Sequence, residues 1–227
     1  MRTIAFVTQK GGSGKSTIAS SLAVAARDAG EKVFIIDMDP QASLVKWAAA
    51  RGEGSVPVEA VTSAKLPQAL AMMEKKGITL VVIDTPGTDS VETKAAMKGA
   101  DLCIIPARPN VFDLWASELT RKALKDMQRE FVFLLNQCPP AQQSARVEEG
   151  AKALEAMGGL ITPLIAARVD YQEAARNGLG VTEYNRSGPA AEEMRKLWSA
   201  LKKRLGKAKA AAAKPAAAKP IATKKAA

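Results

Sequence analysis

Eight residues, Lys10-Gly11-Gly12-Ser13-Gly14-Lys15-Ser16-Thr17, stand between an apolar β-branched run and a helical stretch, and they restrict the fold more than any other segment. Glycines in such a turn let successive backbone N–H groups converge on phosphate oxygens with no Cβ in the way. A helix beginning near Lys15 adds its positive dipole end. Lys15 is placed to reach β- and γ-phosphates, and the Ser16 hydroxyl to ligate Mg²⁺. The strict phosphate-loop pattern requires a glycine where Gln9 stands; here an extra lysine, Lys10, opens the loop instead.

Composition removes competing chemistries. The chain has no His and only two Cys, so His-based general bases, His-ligated metals, disulfide frameworks and four-Cys zinc sites all fall away. No apolar run approaches the roughly 18 residues a bilayer span needs, and the glycine cluster comes too early for a signal peptide. A cytoplasmic protein is expected. Its formal charge of +10 is uneven: residues 206–227 carry six Lys and no acid, while the remainder sets 27 Lys and Arg against 23 acids. That Ala/Lys/Pro segment has almost nothing to bury, which predicts a disordered basic tail beyond a single domain over 1–205.

Within 1–205, apolar runs alternate with helical patterns. Strands are predicted over 3–8, 32–37, 56–61, 80–84, 102–107, 131–136 and 160–165. Helices are predicted over 15–29, 42–51, 66–76, 90–99, 113–129, 144–157, 171–177 and 189–205. Most strand runs are continuously hydrophobic, as in strands covered on both faces. The expectation is an α/β fold with a mostly parallel twisted sheet flanked by helices on both faces. In such sheets ligands bind beyond the carboxyl ends of the strands. Three of those ends read TQKGGSGKS, DMDPQ and DTPG.

The second of these, Ile35-Ile36-Asp37-Met38-Asp39-Pro40-Gln41, offers two carboxylates two residues apart before a proline forces a turn. They suit either capping of the following helix or holding Mg²⁺ and orienting an attacking water. The third, Val81-Val82-Ile83-Asp84-Thr85-Pro86-Gly87, delivers Asp84 to the outer shell of the metal and lets a loop pass close at Gly87. Phosphoryl transfer also needs positive charge near the β–γ bridge, a role Lys10 would fill if supplied across a dimer.

KGGSGKS, DMDPQ and VVIDTPG, in this order, resemble the ParA/MinD family of deviant-Walker ATPases. The segments ADLCIIPARPNVFDLWA and RVDYQEAARNGLGVTEY are similar, more narrowly, to small ParA-type partition proteins. The resemblance covers residues 1–205 and implies a weak ATPase that uses ATP and Mg²⁺ and forms an ATP-bound sandwich dimer. By it, Gly11, Gly12, Ser13, Gly14, Lys15, Ser16 and Thr17 bind the nucleotide, with Ser16, Asp39 and Asp84 serving the metal. Lys10 reaches the partner's phosphates, Asp39 positions water, Asp84 is the Walker B carboxylate and Asn136 contacts adenine.

The resemblance also implies non-specific binding of double-stranded DNA, nucleoid association and an adaptor of the ParB type that stimulates hydrolysis. A plasmid, a chromosome region or a protein assembly would be the cargo. Arg168, Arg176 and Arg186 fall in the segment that matches the DNA-contact region, and Arg195, Lys196, Lys202, Lys203, Arg204 and Lys207 lie on the last helix. On that helix Met194, Leu197, Trp198, Leu201 and Leu205 follow 3-4 spacing, leaving the cations on the other side. No membrane-docking amphipathic helix is expected, because the basic tail has no Leu/Phe/Trp stripe. The alternative is a nucleotide-switched regulator that never touches DNA.

Overall fold

The computed structural model describes residues 1–52, 56–139 and 144–212. Its core is a six-stranded sheet, all parallel, in the order β3-β2-β4-β1-β5-β6. The strands are β1 (Arg2–Phe6), β2 (Val33–Asp37), β3 (Val58–Ala60), β4 (Leu80–Asp84), β5 (Leu102–Ala107) and β6 (Phe131–Leu135). Every residue of β2, β4, β5 and β6 is buried, which explains their unbroken apolar sequences. Helices cover both faces as expected.

Right-handed crossovers sort the helices by direction of travel along the sheet. One face packs α1 (Lys15–Asp28), α2 (Ser43–Arg51), α7 (Val169–Arg176), α8 (Val181–Tyr184) and α9 (Pro189–Ala212) over a core that includes Ile4, Leu22, Val82 and Trp198. The other packs α3 (Leu66–Lys75), α4 (Val91–Gly99), α5 (Val111–Asp126) and α6 (Ala145–Gly158) around Ile36, Ile83, Phe133 and Leu154. The predicted stripe of α9 is inside: Met194, Leu197 and Leu201 are fully buried, with Trp198 and Leu205 nearly so. Each such side chain stabilises the docked helix by about 1.5–3 kcal/mol relative to exposure.

Three features depart from the sequence reading. Residues 160–165 do not form a strand; Ile161 and Ile165 donate to Phe133 and Leu135 of β6 at 2.9 Å, but only isolated bridges result. Pro163 between them has no N–H to give, so the ladder cannot continue. A short helix, α8, was not legible at four residues. Finally, α9 continues to Ala212, past its predicted end at Leu205, because Ala and Lys are strong helix formers. The first part of the segment expected to be disordered is therefore helical, and 213–227 lie outside the described residues.

The register decides where chemistry can occur. β2, β4 and β1 are neighbours, with Asp37 paired to Asp84 and Asp84 to Phe6, so the three chemistry-bearing strand ends emerge side by side.

Candidate nucleotide site

Gly12 and Gly14 adopt left-handed φ values of 75° and 88°, and Gly14 immediately precedes α1. At Gly14 a Cβ would run into the Asn136 amide, and the positive φ strains any residue other than glycine there. Gly87 is equally constrained: a Cβ would come within 2.9 Å of the Gly11 backbone. The loop after β4 thus lies directly against the phosphate loop. Gly87→Ala is expected to push that loop out of shape and lower nucleotide affinity about tenfold, with little change in far-UV circular dichroism. Unchanged affinity by titration with a fluorescent ATP would refute this.

Inside the loop Lys15 is buried at 7 % exposure, and burial lowers its pKa, only partly offset by the carboxylates of Asp84 and Asp39. The Ser16 hydroxyl donates to Asp84 Oδ2 at 2.6 Å. Asp84 is completely buried, and burial pushes its carboxyl up to about 7 against the Ser16 hydrogen bond. Its second oxygen, Oδ1, has no hydrogen-bond partner among the described residues. A buried carboxyl with one bare oxygen beside a loop hydroxyl fits a site completed by a hydrated divalent cation. Ser16 and Asp84 would hold it.

The two carboxylates of DMDPQ have different duties. Asp37 accepts backbone N–H groups from Asp39 (3.1 Å), Leu44 (2.9 Å) and Val45 (3.2 Å), so it caps α2 and shapes the turn. Asp39 is half-exposed, accepts the Gln41 N–H through Oδ1 at 2.9 Å, and lines a cavity of about 650 Å³ with the phosphate loop and Gly87. The capping reading of this motif falls on Asp37, and Asp39 is the carboxylate that lines the cavity.

Lys10 is partly exposed at the mouth of the loop and does not line that cavity. Asn136 is buried and donates to the Ser13 carbonyl at 2.8 Å, bracing the loop. It also walls a second cavity of about 320 Å³, beyond Gly14 and Thr17, formed with Gln137, Ala166, Ala167, Val169 and Tyr171. That cavity shares Gly14, Thr17 and Gln137 with the first, so one ligand can span both. Gln137 was missed in the sequence although it follows Asn136; its side chain donates to Gly12 O at 3.2 Å.

Arg195, Lys196, Lys202, Lys203 and Arg204 are exposed, away from the buried stripe of α9. Arg176 lines the outer wall of the larger cavity with Lys46. Arg168 pairs with Glu193 at 2.7 Å, Lys196 with Glu192 at 2.6 Å, Lys202 with Glu31 at 2.9 Å and Arg204 with Glu130 at 3.7 Å. Arg195 is exposed and donates to the Arg186 carbonyl, whose own side chain is exposed, as is Lys203. Lys207 lies outside the described side chains. Both thiols are buried; Cys103 is pushed up to about 12 and Cys138 to about 11 by burial.

Comparison with known proteins agrees with this geometry. The family model described as CobQ/CobB/MinD/ParA nucleotide binding domain matches residues 4–181. The chain is similar to a maintenance of carboxysome distribution protein A from Gloeobacter kilaueensis, 32 % identical over 193 residues, covering 81 % of this chain and 85 % of that one. The protein of the same name from Halothiobacillus neapolitanus is 28 % identical over 200 residues, covering 84 % and 91 %. Among solved structures, apo McdA of Cyanothece superposes with a TM-score of 0.74 at 18 % identity, covering 91 % of this chain and all of the other.

Proposed function

This chain belongs to the CobQ/CobB/MinD/ParA nucleotide-binding family, and from that premise we propose that it is an ATP-dependent positioning ATPase. ATP with Mg²⁺ drives a sandwich dimer that binds DNA without sequence preference, and an adaptor of the ParB type stimulates hydrolysis and release. The protein would then be cytoplasmic and nucleoid-associated, carrying a plasmid, a chromosome region or a protein assembly. Relatives named for carboxysome distribution support the last of these. Among the described residues no helix is long and apolar enough to cross a membrane.

The observation that carries the reading is the grouping of Lys15, the Ser16–Asp84 pair and Asp39 around one loop. Mg²⁺, when bound, neutralises charge along the phosphates. Lys15 and the loop amides would hold the phosphates, and Ser16 and Asp84 would hold the metal. Asp39 orients the attacking water. Lys10, outside its own cavity, is free to extend toward a facing copy.

DNA retention of the full chain with ATP, ADP and no nucleotide, at two salt concentrations, tests the reading. Retention should require ATP, ignore sequence and fall steeply with salt. A variant with Lys207, Lys209, Lys214, Lys219, Lys224 and Lys225 changed to Gln isolates the tail. If retention ignores nucleotide and disappears in that variant, the tail alone binds. The alternative regulator that never touches DNA has one observation in its favour: five of the expected DNA-binding cations are paired with acids. Absence of ATP-dependent retention at low salt would establish it.

A further inference from the structure

Two adjacent acids on α9 have different surroundings. Glu192 is exposed and pairs with Lys196, one turn further along the helix surface. Glu193 stands at the margin of the buried face, its side chain 15 % exposed, and directs both oxygens to residues of another segment. Oε1 accepts from Arg168 Nε at 3.0 Å and from Arg168 Nη2 at 2.7 Å. Oε2 accepts from the Tyr171 hydroxyl at 3.3 Å. Arg168 immediately precedes α7 and Tyr171 lies in its first turn. The backbone leading to them is fixed to the end of β6, because the Ala167 N–H donates to the Cys138 carbonyl at 2.7 Å.

Arg168 and Tyr171 both line the cavity of about 320 Å³ beyond Gly14 and Thr17, and neither lines the larger one at the phosphate loop. Among the described residues of that lining, Arg168 carries the only formal charge. Its ion pair uses one edge of the guanidinium, so the N–H groups of Nη1 stand outside the pair. A partly buried ion pair is weak evidence for stability, since desolvation offsets much of the attraction. What this one supplies is orientation: one carboxylate fixes a planar donor fork and an aromatic ring at the same cavity wall. A phosphate chain on the loop lies in the first cavity, so the part of the ligand that enters the second is the nucleoside. A purine matches that wall. Its flat face suits a guanidinium or a phenol ring, and its ring nitrogens accept N–H groups.

We propose that Arg168 contacts the nucleoside half of the bound nucleotide, and that Glu193 is the positioning residue that holds it there from α9. The inference rests on the nucleotide-binding reading of the preceding section. It assigns to the nucleotide site a cation that the family resemblance places in a DNA-contact segment. Glu193 is outside the cavity lining and acts through Arg168 and Tyr171. Without its carboxylate the guanidinium regains rotamer freedom, which binding must then remove. Because Glu193 belongs to α9, one ion pair ties the nucleoside end of the site to the helix that carries most of the exposed cations.

The test is calorimetric titration of the full chain with ADP and, separately, with pyrophosphate, each with Mg²⁺; pyrophosphate has the phosphates without the nucleoside. Arg168→Ala should bind ADP about tenfold more weakly, the scale of one lost charge-assisted contact, and pyrophosphate within about twofold of wild type. Arg168→Lys keeps the charge but loses the planar fork, and should not restore ADP binding. Glu193→Ala should lose nearly as much as Arg168→Ala. The double variant Arg168→Ala/Glu193→Ala should be no weaker than Arg168→Ala alone, as expected of a residue acting through another. Glu193→Gln keeps an acceptor oxygen in place and should fall between wild type and Glu193→Ala, which guards against a folding defect in the shorter side chain. Wild-type ADP affinity in Arg168→Ala would overturn the proposal. So would equal losses for ADP and pyrophosphate, the mark of a loosened fold, or additive losses in the double variant, which would separate Glu193 from Arg168. A wild type that binds neither ligand defeats the nucleotide reading itself, and the roles of both residues with it.

Discussion

Lys15→Ala is expected to weaken ATP binding by at least two orders of magnitude and to reduce hydrolysis to background. Lys15 is buried and has two carboxylates, Asp84 and Asp39, as its electrostatic neighbours. A charge-assisted contact to phosphate is worth about 1.5–3 kcal/mol, and the buried position strengthens it. The loss should be specific to ligand. Burial already disfavours the charged ammonium in the absence of phosphate, so removing it also removes a desolvation cost. The melting temperature without nucleotide should therefore change by only a few degrees, whereas the rise that saturating ATP gives the wild type should vanish. A thermal shift series with and without ATP measures both. A variant retaining the ATP-induced rise would show that another cation holds the phosphates.

Legibility in the sequence followed locality. The phosphate loop, β2 and β4 were readable because each is a continuous segment whose residue types answer one local demand: glycines for a tight approach, unbroken apolar runs for burial on both faces. The stripe of α9 was readable for the same reason, through its 3-4 spacing. What was not readable depends on contacts between segments distant in sequence. Asp37 and Asp39 look alike in DMDPQ, and only the position of the α2 backbone makes one a cap. Asn136 reads as an adenine contact, yet its amide also holds the Ser13 carbonyl from the far end of β6. The basic residues of 168–204 are legible as charges, but which of them meet an acid is decided by Glu31, Glu130, Glu173, Glu192 and Glu193, two of which come from other parts of the chain. Charge in sequence counts residues; charge in structure counts those without a partner.

This division of labour in DMDPQ leads to the other large effect. Asp39→Ala should cut ATP turnover by about two to three orders of magnitude, the scale typical of removing a group that handles the reacting water. ATP binding should remain within a few fold of wild type. The reason is structural: the turn is held by Asp37, which accepts three backbone N–H groups, while the Asp39 carboxylate accepts a single one, from Gln41. The loop should keep its shape when Asp39 loses its carboxylate. Asp37→Ala is the informative contrast. It removes the cap of α2 and leaves buried N–H groups unpaired, costing about 1–3 kcal/mol of stability. Its turnover should fall together with its melting temperature, whereas that of Asp39→Ala should fall alone. Phosphate release at saturating ATP, with affinity measured separately and melting curves for both variants, separates the cases. Asp39→Ala turnover within threefold of wild type would remove Asp39 from the chemistry. If the assignment holds, the same variant, binding ATP without consuming it, should stay on DNA far longer than the wild type, because the only exit from the ATP state has been slowed.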